Sequence, residues 1–140
     1  MSAGSVTSPT RVVDQALIDA LVELGGYPHP LFHPTPEQRA QGQGAPLMGQ
    51  GVLLLAGGLA EQTGTLDDAI ALLGFSDVSF RTMLRAGASV RLVMDHLSTT
   101  PTSSGKRRSE YRWTVLDDSD GVVLEATAVL LRTPLEDPTP

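Results

Sequence analysis

The segment from Ala45 to Gly64, APLMGQGVLLLAGGLAEQTG, constrains the fold more than any other part of the chain. Gly49 and Gly51 come just before about three helical turns in which the first charged residue is Glu61. A helix that is apolar on nearly all sides has to be covered by other elements, and its small residues let a sheet approach closely. The sequence therefore predicts a buried central helix with the rest of the domain wrapped around it.

The start of this helix is also a candidate binding site. The first N–H groups of a helix have no acceptor within the helix, so they can donate to a carbonyl oxygen or an oxyanion. Here these groups belong to Gln50, Gly51 and Val52, next to glycines that leave them uncovered. We therefore predict that the backbone of these three residues binds an oxyanion or a carbonyl group.

The second half of the chain alternates apolar and polar residues, as β-strands do. The predicted strands cover 75–83, 89–97, 110–116 and 122–132. Turn-rich connections at 98–106 and 117–121 indicate that the last three strands form an antiparallel meander. Apolar spacing upstream predicts a helix over 12–24, and a cap at Thr65 predicts a short helix that ends at Leu73.

Composition limits what such a chain can do. The 140 residues are 41% hydrophobic, so we expect one domain over 1–140, with loose tails at 1–10 and 134–140. The formal net charge of -6 lacks the basic footprint of a nucleic-acid-binding protein. No apolar run approaches the ~20 residues that span a bilayer, so no membrane partner is expected. The absence of cysteine excludes disulfides and thiolate metal sites, and is compatible with a cytoplasmic protein.

Two segments together resemble the MaoC-like dehydratase/hydratase family. They are ELGGYPHPLFHPTPEQRA at 23–40 and PLMGQGVLLLAGGLAEQTG at 46–64, and the strand order downstream is similar to the same family. The resemblance implies the hot-dog fold, an α+β domain in which an antiparallel β-sheet wraps around a central α-helix. It also implies action on acyl thioesters of coenzyme A or acyl carrier protein, as a hydratase, a dehydratase or a thioesterase.

The catalytic pattern of that family is altered in this chain. The hydratase pattern has an aspartate shortly before Asn-Pro, and a histidine two residues after the proline. With Pro30 aligned, these three positions hold Tyr27, His29 and Phe32, and His33 lies one residue late. The related fatty-acid dehydratases carry an acidic residue early in the central helix, where this chain is apolar. The usual Asp/His dyad is therefore absent.

His33, His29 and Tyr27 are the catalytic candidates if the chain is a hydratase. Histidine titrates near neutrality and can exchange a proton with a substrate atom within about 3 Å. In an extended loop alternate side chains share one side, so His29 and His33 would face the substrate while Phe32 faces the core. The alternative is that both histidines are bonded to the loop backbone and that Tyr27 anchors the loop.

Glu61 supports a second enzymatic hypothesis, because hot-dog thioesterases use a helix carboxylate to activate water. A third hypothesis is a noncatalytic acyl-binding or partner subunit that has lost the dyad. The spacing of the histidines and Glu61 matches no zinc pattern, so we expect neither a metal nor another cofactor. A single curled sheet leaves an uncovered edge, and we therefore expect a homodimer.

Overall fold

The computed structural model describes residues 4–134. Two short strands and a helix are followed by a loop with a 3-10 turn (Pro30–Phe32) and a short second helix, then by a long helix and four long strands. The elements are β1 (Ser5–Thr7), β2 (Arg11–Val12), α1 (Gln15–Gly25), α2 (Pro36–Ala40), α3 (Gly49–Gln62), β3 (Ala69–Phe80), β4 (Ser89–Pro101), β5 (Arg107–Asp117) and β6 (Val122–Arg132).

The strands form one antiparallel sheet with the order β1-β4-β5-β6-β3, and β2 also pairs with β4. Strands β4, β5 and β6 are consecutive neighbours, as predicted for the meander. The register places Met94 opposite Trp113, and Trp113 opposite Ala126, with all three side chains buried. Strand β3 forms one edge of the sheet, and β1 with β2 forms the other.

Helix α3 packs on this sheet through one broad face. Val52, Ala56, Leu59 and Ala60 are buried on that face and belong to the main hydrophobic core. The prediction of a helix covered on all sides is wrong for the opposite face, where Leu54 is 61% exposed. The close backbone approach expected at the two consecutive glycines is also absent within residues 4–134, because a Cβ built on either Gly57 or Gly58 would meet no atom outside the helix's own backbone within 4 Å.

The short helix predicted from Thr65 to Leu73 is wrong. The chain turns at Gly64, whose φ is 76°, and β3 begins at Ala69. Two sets of interactions favour a strand over the predicted helix. Pairing with β6 begins at Ala69 and continues, with three register shifts, to Phe80, and the carboxylate of Asp68 binds two arginines at the start of this strand.

The tail expected at 1–10 is ordered from β1 onward. Strand β1 pairs with β4, and Ser8 exchanges hydrogen bonds with Leu92: the Ser8 N–H donates to the Leu92 carbonyl at 2.8 Å, and the Ser8 hydroxyl accepts from the Leu92 N–H at 2.9 Å. Residues 135–140 of the expected C-terminal tail lie outside the described residues. No helix in the described part of the chain is long and apolar enough to cross a membrane.

Candidate functional site

A cavity of about 580 Å³ lies at the start of α3. Three parts of the chain enclose it, namely the loop before α2, the segment that enters α3 and the segment that follows β3. We call it the first cavity. Its lining consists mainly of apolar side chains. The lining residues are Tyr27, Leu31, Phe32, 46–50, Val52, 80–83 and Val123.

The backbone donors at the start of α3 differ from those that the sequence suggested. The N–H groups of Gly51 and Val52 donate to the carbonyl oxygen of Met48 at 2.9 and 3.2 Å, so the prediction that they are unpaired is wrong. Met48 is the N-cap residue, so its carbonyl accepts the first helical N–H groups, and its side chain makes no cap. Within residues 4–134, the N–H groups of Gly49 and Gln50 have no acceptor, and both residues line the first cavity.

Glycine at position 49 allows the aromatic ring of Phe80 to lie against the start of the helix. A Cβ built on Gly49 would lie 2.7 Å from that ring. Phe80 is the last residue of β3, so this contact joins the end of β3 to the start of α3. The end of β3 therefore meets the start of α3 at the mouth of the first cavity.

The loop that carries the two histidines is not extended. Pro30–Phe32 form a 3-10 turn, and the Nδ1 atom of His29 caps it by accepting the Leu31 N–H at 3.0 Å. Nε2 of His33 lies 2.6 Å from the carbonyl oxygen of Tyr27. The expected alternation of side chains is therefore wrong. The physical reason is local, because proline fixes its own φ at the first position of a turn and the His29 ring satisfies the free N–H.

The turn keeps Phe32 against the core, as expected, but directs the two histidines away from the first cavity. Leu31 and Phe32 line the first cavity, whereas His29 and His33 do not. His33 instead lines a shallow depression next to Glu23 of α1. These contacts agree with the alternative that the two histidines are loop residues bonded to the backbone.

Tyr27 is the one catalytic candidate of the loop that lines the first cavity. Its ring packs edge-on against Phe32, with ring centroids 5.5 Å apart. Within residues 4–134, its hydroxyl group makes no hydrogen bond. Tyr27 therefore both anchors the turn and brings an exchangeable proton to the lining of the cavity.

Glu61 lies at the other end of α3, in a second cavity of about 590 Å³. Glu61 lies twelve positions after Gly49, which corresponds to about 18 Å along the helix axis. The lining of the second cavity also includes Gly57, Gly58 and Trp113. Trp113 is 2% exposed, and its indole N–H has no hydrogen-bond acceptor within residues 4–134.

The sequence interpretation missed the contribution of residues 80–83. Arg81 pairs with Glu125, with 3.1 Å between Nη2 and Oε2, and the hydroxyl of Thr82 donates to the Val122 carbonyl at 2.9 Å. These contacts hold the segment after β3 over the first cavity. No sequence motif identifies this segment, because its position over the first cavity depends on the path of β3 in the folded chain.

Within residues 4–134, no group of three or more His, Asp or Glu side chains could hold a metal ion. The altered pKa values lie away from the first cavity, at Asp68 and Arg132. Burial acts to raise the pKa of Asp68, but hydrogen bonds from Arg132 and Arg107 outweigh it and hold the pKa below its usual value.

Neither a scan against models of protein families nor a search of curated proteins finds a match. Solved structures do match over nearly the whole chain. The MaoC-like dehydratase from Rhodospirillum rubrum has a TM-score of 0.76 at 20% identity, covering 99% of this chain and 96% of that one. This chain has the hot-dog fold.

Two further structures agree. The (R)-hydratase from A. caviae, involved in PHA biosynthesis, gives a TM-score of 0.71 at 19% identity and covers 96% of this chain and 98% of its own. A Mycobacterium tuberculosis protein with a double hot-dog fold gives 0.80 at 17% identity, covering all of this chain (100%) and 44% of that one. At these identities the likeness is one of fold, and it supports the resemblance stated from the sequence.

Proposed function

We propose that this chain binds acyl thioesters of coenzyme A or acyl carrier protein in the first cavity, and that it acts as a hydratase/dehydratase-type enzyme. The observation that carries the proposal is an apolar cavity that reaches two backbone N–H groups with no acceptor of their own. Apolar walls suit an acyl chain, and N–H donors suit its carbonyl oxygen. The fold shared with a MaoC-like dehydratase and an (R)-hydratase supports the same class of reaction.

The chemistry of hydration explains why the donors matter. Water adds to the double bond beside the thioester, and negative charge then develops on the carbonyl oxygen. The N–H groups of Gly49 and Gln50, together with the positive end of the α3 dipole, stabilise that charge. Removal of one such donor typically lowers turnover by ~10²–10³.

Within one copy of the chain, few of the candidate groups for proton transfer reach the first cavity. Tyr27 reaches the lining of the cavity, but the rings of His29 and His33 are bonded to the loop backbone. A role for His33 or His29 in proton transfer requires the 3-10 turn to open when the substrate binds. The histidine hypothesis therefore depends on a loop movement as well as on chemistry.

The second candidate function is a noncatalytic acyl-thioester-binding or partner subunit. The specific observation in its favour is that, among residues 4–134, no histidine, aspartate or glutamate lines the first cavity. Such a protein would bind the thioester and never convert it. The thioesterase hypothesis has a carboxylate but places it far from the carbonyl-binding groups. Glu61 lies about 18 Å along the helix from the N–H groups of Gly49 and Gln50 in the same chain.

We also propose that the chain works as a homodimer. Strand β3 is a 12-residue edge strand, and its exposed side chains include Ile70, Leu72 and Leu73, each at least 51% exposed. A long apolar edge of this kind needs a cover in water. The double hot-dog fold of the Mycobacterium tuberculosis protein supports a paired arrangement.

The proposal is tested by mass spectrometry of the products formed from crotonyl-coenzyme A and from saturated and 3-hydroxy thioesters of several lengths. A hydratase yields the 3-hydroxyacyl thioester, a thioesterase yields the free acid, and a noncatalytic subunit yields neither while still binding octanoyl-coenzyme A. A chain that neither binds nor converts any of these thioesters refutes the proposal.

Two matched variants locate the site. Leu31 is 42% exposed and lines the first cavity, whereas Leu97 is 54% exposed and lies outside it on β4. We expect Leu31→Trp to weaken octanoyl-coenzyme A binding at least tenfold by filling the cavity, an effect of about 1.4 kcal/mol or more. Leu97→Trp should bind like the wild type. Equal affinities for the two variants would place the acyl chain elsewhere.

A further inference from the structure

Most of the positive charges in this chain are neutralised by its own carboxylates. Seven of the ten Lys and Arg side chains form ion pairs, and the formal net charge of the chain is -6. Within residues 4–134, the cations without an ion pair are Arg11, Arg85 and Lys106. Of these three, Arg85 lines a cavity next to the first cavity. Its guanidinium group is therefore free to bind an anionic part of a ligand.

The cavity that Arg85 lines has a volume of about 370 Å³, and we call it the third cavity. Leu31 lines both the first and the third cavity, so the two lie side by side. The walls of the third cavity are mixed, because prolines and Leu31 give apolar surface while glutamines give amide groups. A ligand that extends out of the first cavity would therefore pass from an apolar to a partly polar environment. The lining residues are Pro30, Leu31, Pro34, Gln38, 42–44 and Arg85.

The guanidinium group of Arg85 is held in place by the loop that precedes α3. Its Nη1 donates to the carbonyl oxygen of Gly44 at 3.2 Å. Gln15 of α1 fixes this part of the loop, because its Nε2 donates to the carbonyl oxygen of Ala45 at 3.1 Å. Arginine carries several N–H donors in a planar fork that matches the oxygens of a phosphate group. One bond to the loop therefore orients the fork and leaves other donors for a phosphate.

Two glutamine side chains add uncharged polar groups to the third cavity. The Oε1 atom of Gln38 accepts the Thr35 N–H at 2.8 Å, which leaves the amide nitrogen of Gln38 as a donor. In the described part of the chain, this nitrogen and the side chain of Gln43 make no hydrogen bond. The pantetheine arm of an acyl carrier consists of two amide units with methylene groups between them, and a branched alkyl group next to its phosphate. Amide groups and apolar surface side by side suit such an arm.

The distance from the helix start to Arg85 also suits a pantetheine arm. Leu84, which precedes Arg85, accepts the Leu47 N–H at 2.9 Å. Leu47 lies two positions before Gly49, so the path from Gly49 to Arg85 spans at most about 17 Å. The arm is about as long as four or five extended residues, or about 15 Å. A thioester carbonyl bound at Gly49 can therefore place the first phosphate of its carrier at Arg85.

We infer that Arg85 binds the phosphate group that adjoins the pantetheine arm of the acyl carrier, and that the third cavity holds the arm. The inference rests on the proposed acyl-thioester function and names the part of the carrier that the chain recognises. Coenzyme A and the phosphopantetheine group of acyl carrier protein share this phosphate. The nucleoside of coenzyme A and its 3′-phosphate lie beyond it, so they should add little to the affinity.

Calorimetric binding of octanoyl-pantetheine and octanoyl-4′-phosphopantetheine tests the site without relying on activity. We expect the wild type to bind the phosphorylated compound about tenfold more tightly, since solvent screening limits an exposed pair to about this size. Arg85→Gln should bind both compounds as weakly as the wild type binds octanoyl-pantetheine, which also shows that its acyl cavity is intact. Arg11→Gln is the matched control, because Arg11 is also exposed and lines neither the first nor the third cavity. It should keep the tenfold preference.

Two further comparisons identify the phosphate group and its source. Octanoyl-dephospho-coenzyme A lacks only the 3′-phosphate and should bind nearly as tightly as octanoyl-coenzyme A. Much tighter binding of octanoyl-coenzyme A would assign recognition to the 3′-phosphate and overturn the inference. Octanoyl-coenzyme A and octanoyl-acyl carrier protein distinguish the two sources, because Arg85→Gln should weaken the binding of the carrier whose phosphate lies at Arg85. If this variant weakens the binding of neither carrier, the assignment to Arg85 is wrong.

The outcomes separate this inference from the proposed function. A wild type that binds the two pantetheine compounds equally, or an Arg85→Gln variant that keeps the preference, overturns the phosphate site and leaves acyl-thioester binding standing. An equal loss of preference in Arg11→Gln would show a general effect of charge, and it overturns the site as well. A wild-type protein that binds no thioester refutes the proposed function, and this inference with it.

Discussion

Replacing Asp68 by asparagine removes the carboxylate that joins two arginines at the end of the sheet. Its Oδ1 accepts a hydrogen bond from Nε of Arg132 at 2.8 Å, and its Oδ2 accepts one from Nη2 of Arg107 at 2.6 Å. Arg132 also donates to the hydroxyl of Tyr111 at 2.7 Å. These contacts tie the turn after α3 to strands β5 and β6, so their loss should be measurable as a loss of stability.

The expected loss of stability depends on how far the three charged side chains are exposed to solvent. A hydrogen bond to a charged group contributes about 1.5–3 kcal/mol when it is shielded from water. The side chain of Asp68 is 35% exposed, against 18% for Arg107 and 14% for Arg132, so solvent screening reduces both bonds. We therefore expect Asp68→Asn to lower the free energy of unfolding by about 2 kcal/mol, which corresponds to roughly 5–8 °C in Tm for a chain of this length.

The same pair of contacts makes a prediction about pH. The pKa of Asp68 in the folded chain lies below the ordinary value of 3.8, because the arginine hydrogen bonds and charges outweigh its burial. A carboxyl group with a lowered pKa in the folded state contributes its full stability above the unfolded pKa and loses it as the pH falls through the folded pKa. The advantage of the wild type over Asp68→Asn should thus be constant near neutral pH and fade below 3.8.

Urea unfolding followed by the fluorescence of Trp113 measures both effects, because that residue is the chain's single tryptophan and is buried. Asp67→Asn is the matched control, since Asp67 is the neighbouring, exposed aspartate and forms no ion pair within residues 4–134. The reasoning is refuted if the two variants unfold at the same urea concentration near neutral pH, or if the difference between wild type and Asp68→Asn persists unchanged in acid.

Other predictions concern α3 and the loop. Alanine at Gly51 should lower the free energy of unfolding by about 1–3 kcal/mol, because its Cβ would lie 2.6 Å from the buried Leu47. Alanine at Gly58 meets no atom within 4 Å and should stabilise the chain by about 1 kcal/mol through helix propensity; equal urea midpoints would contradict both expectations. His33→Ala should lower the free energy of unfolding by about 1 kcal/mol through loss of its bond to Tyr27 and reduce hydration by less than about tenfold. A loss of ~10²-fold or more in a steady-state assay would instead favour the histidine hypothesis.

The strands and the central helix were predictable because each depends on a repeating pattern. The meander β4-β5-β6 follows from alternation and turn-rich connections, and α3 follows from its apolar run between glycines. The start of β3 was not predictable in the same way. The sequence of Thr65 and the two aspartates after it is typical of a helix cap. Pairing with β6 and the binding of Asp68 by two arginines outweigh this local preference.

The candidate site was harder to predict because its residues depend on loop geometry. One cap by His29 and one 3-10 turn direct His33 away from the first cavity, while Phe32 packs against the core and also reaches the cavity. The donors were predicted at Gln50, Gly51 and Val52, but the first turn closes on Met48, so the groups without an acceptor within residues 4–134 are those of Gly49 and Gln50. Periodicity cannot predict such details, since each depends on a single hydrogen bond.

The difference between the predicted and the observed burial of α3 has a physical explanation. The near absence of charge between Gly49 and Glu61 predicts a helix with neighbours on every side, yet the chain covers one face and leaves Leu54 exposed beside open glycines. A sequence pattern reflects the environment of the working protein, which includes any second copy. In the homodimer that we propose, a partner that covers this face would bury Leu54, as the apolar pattern of the helix predicts.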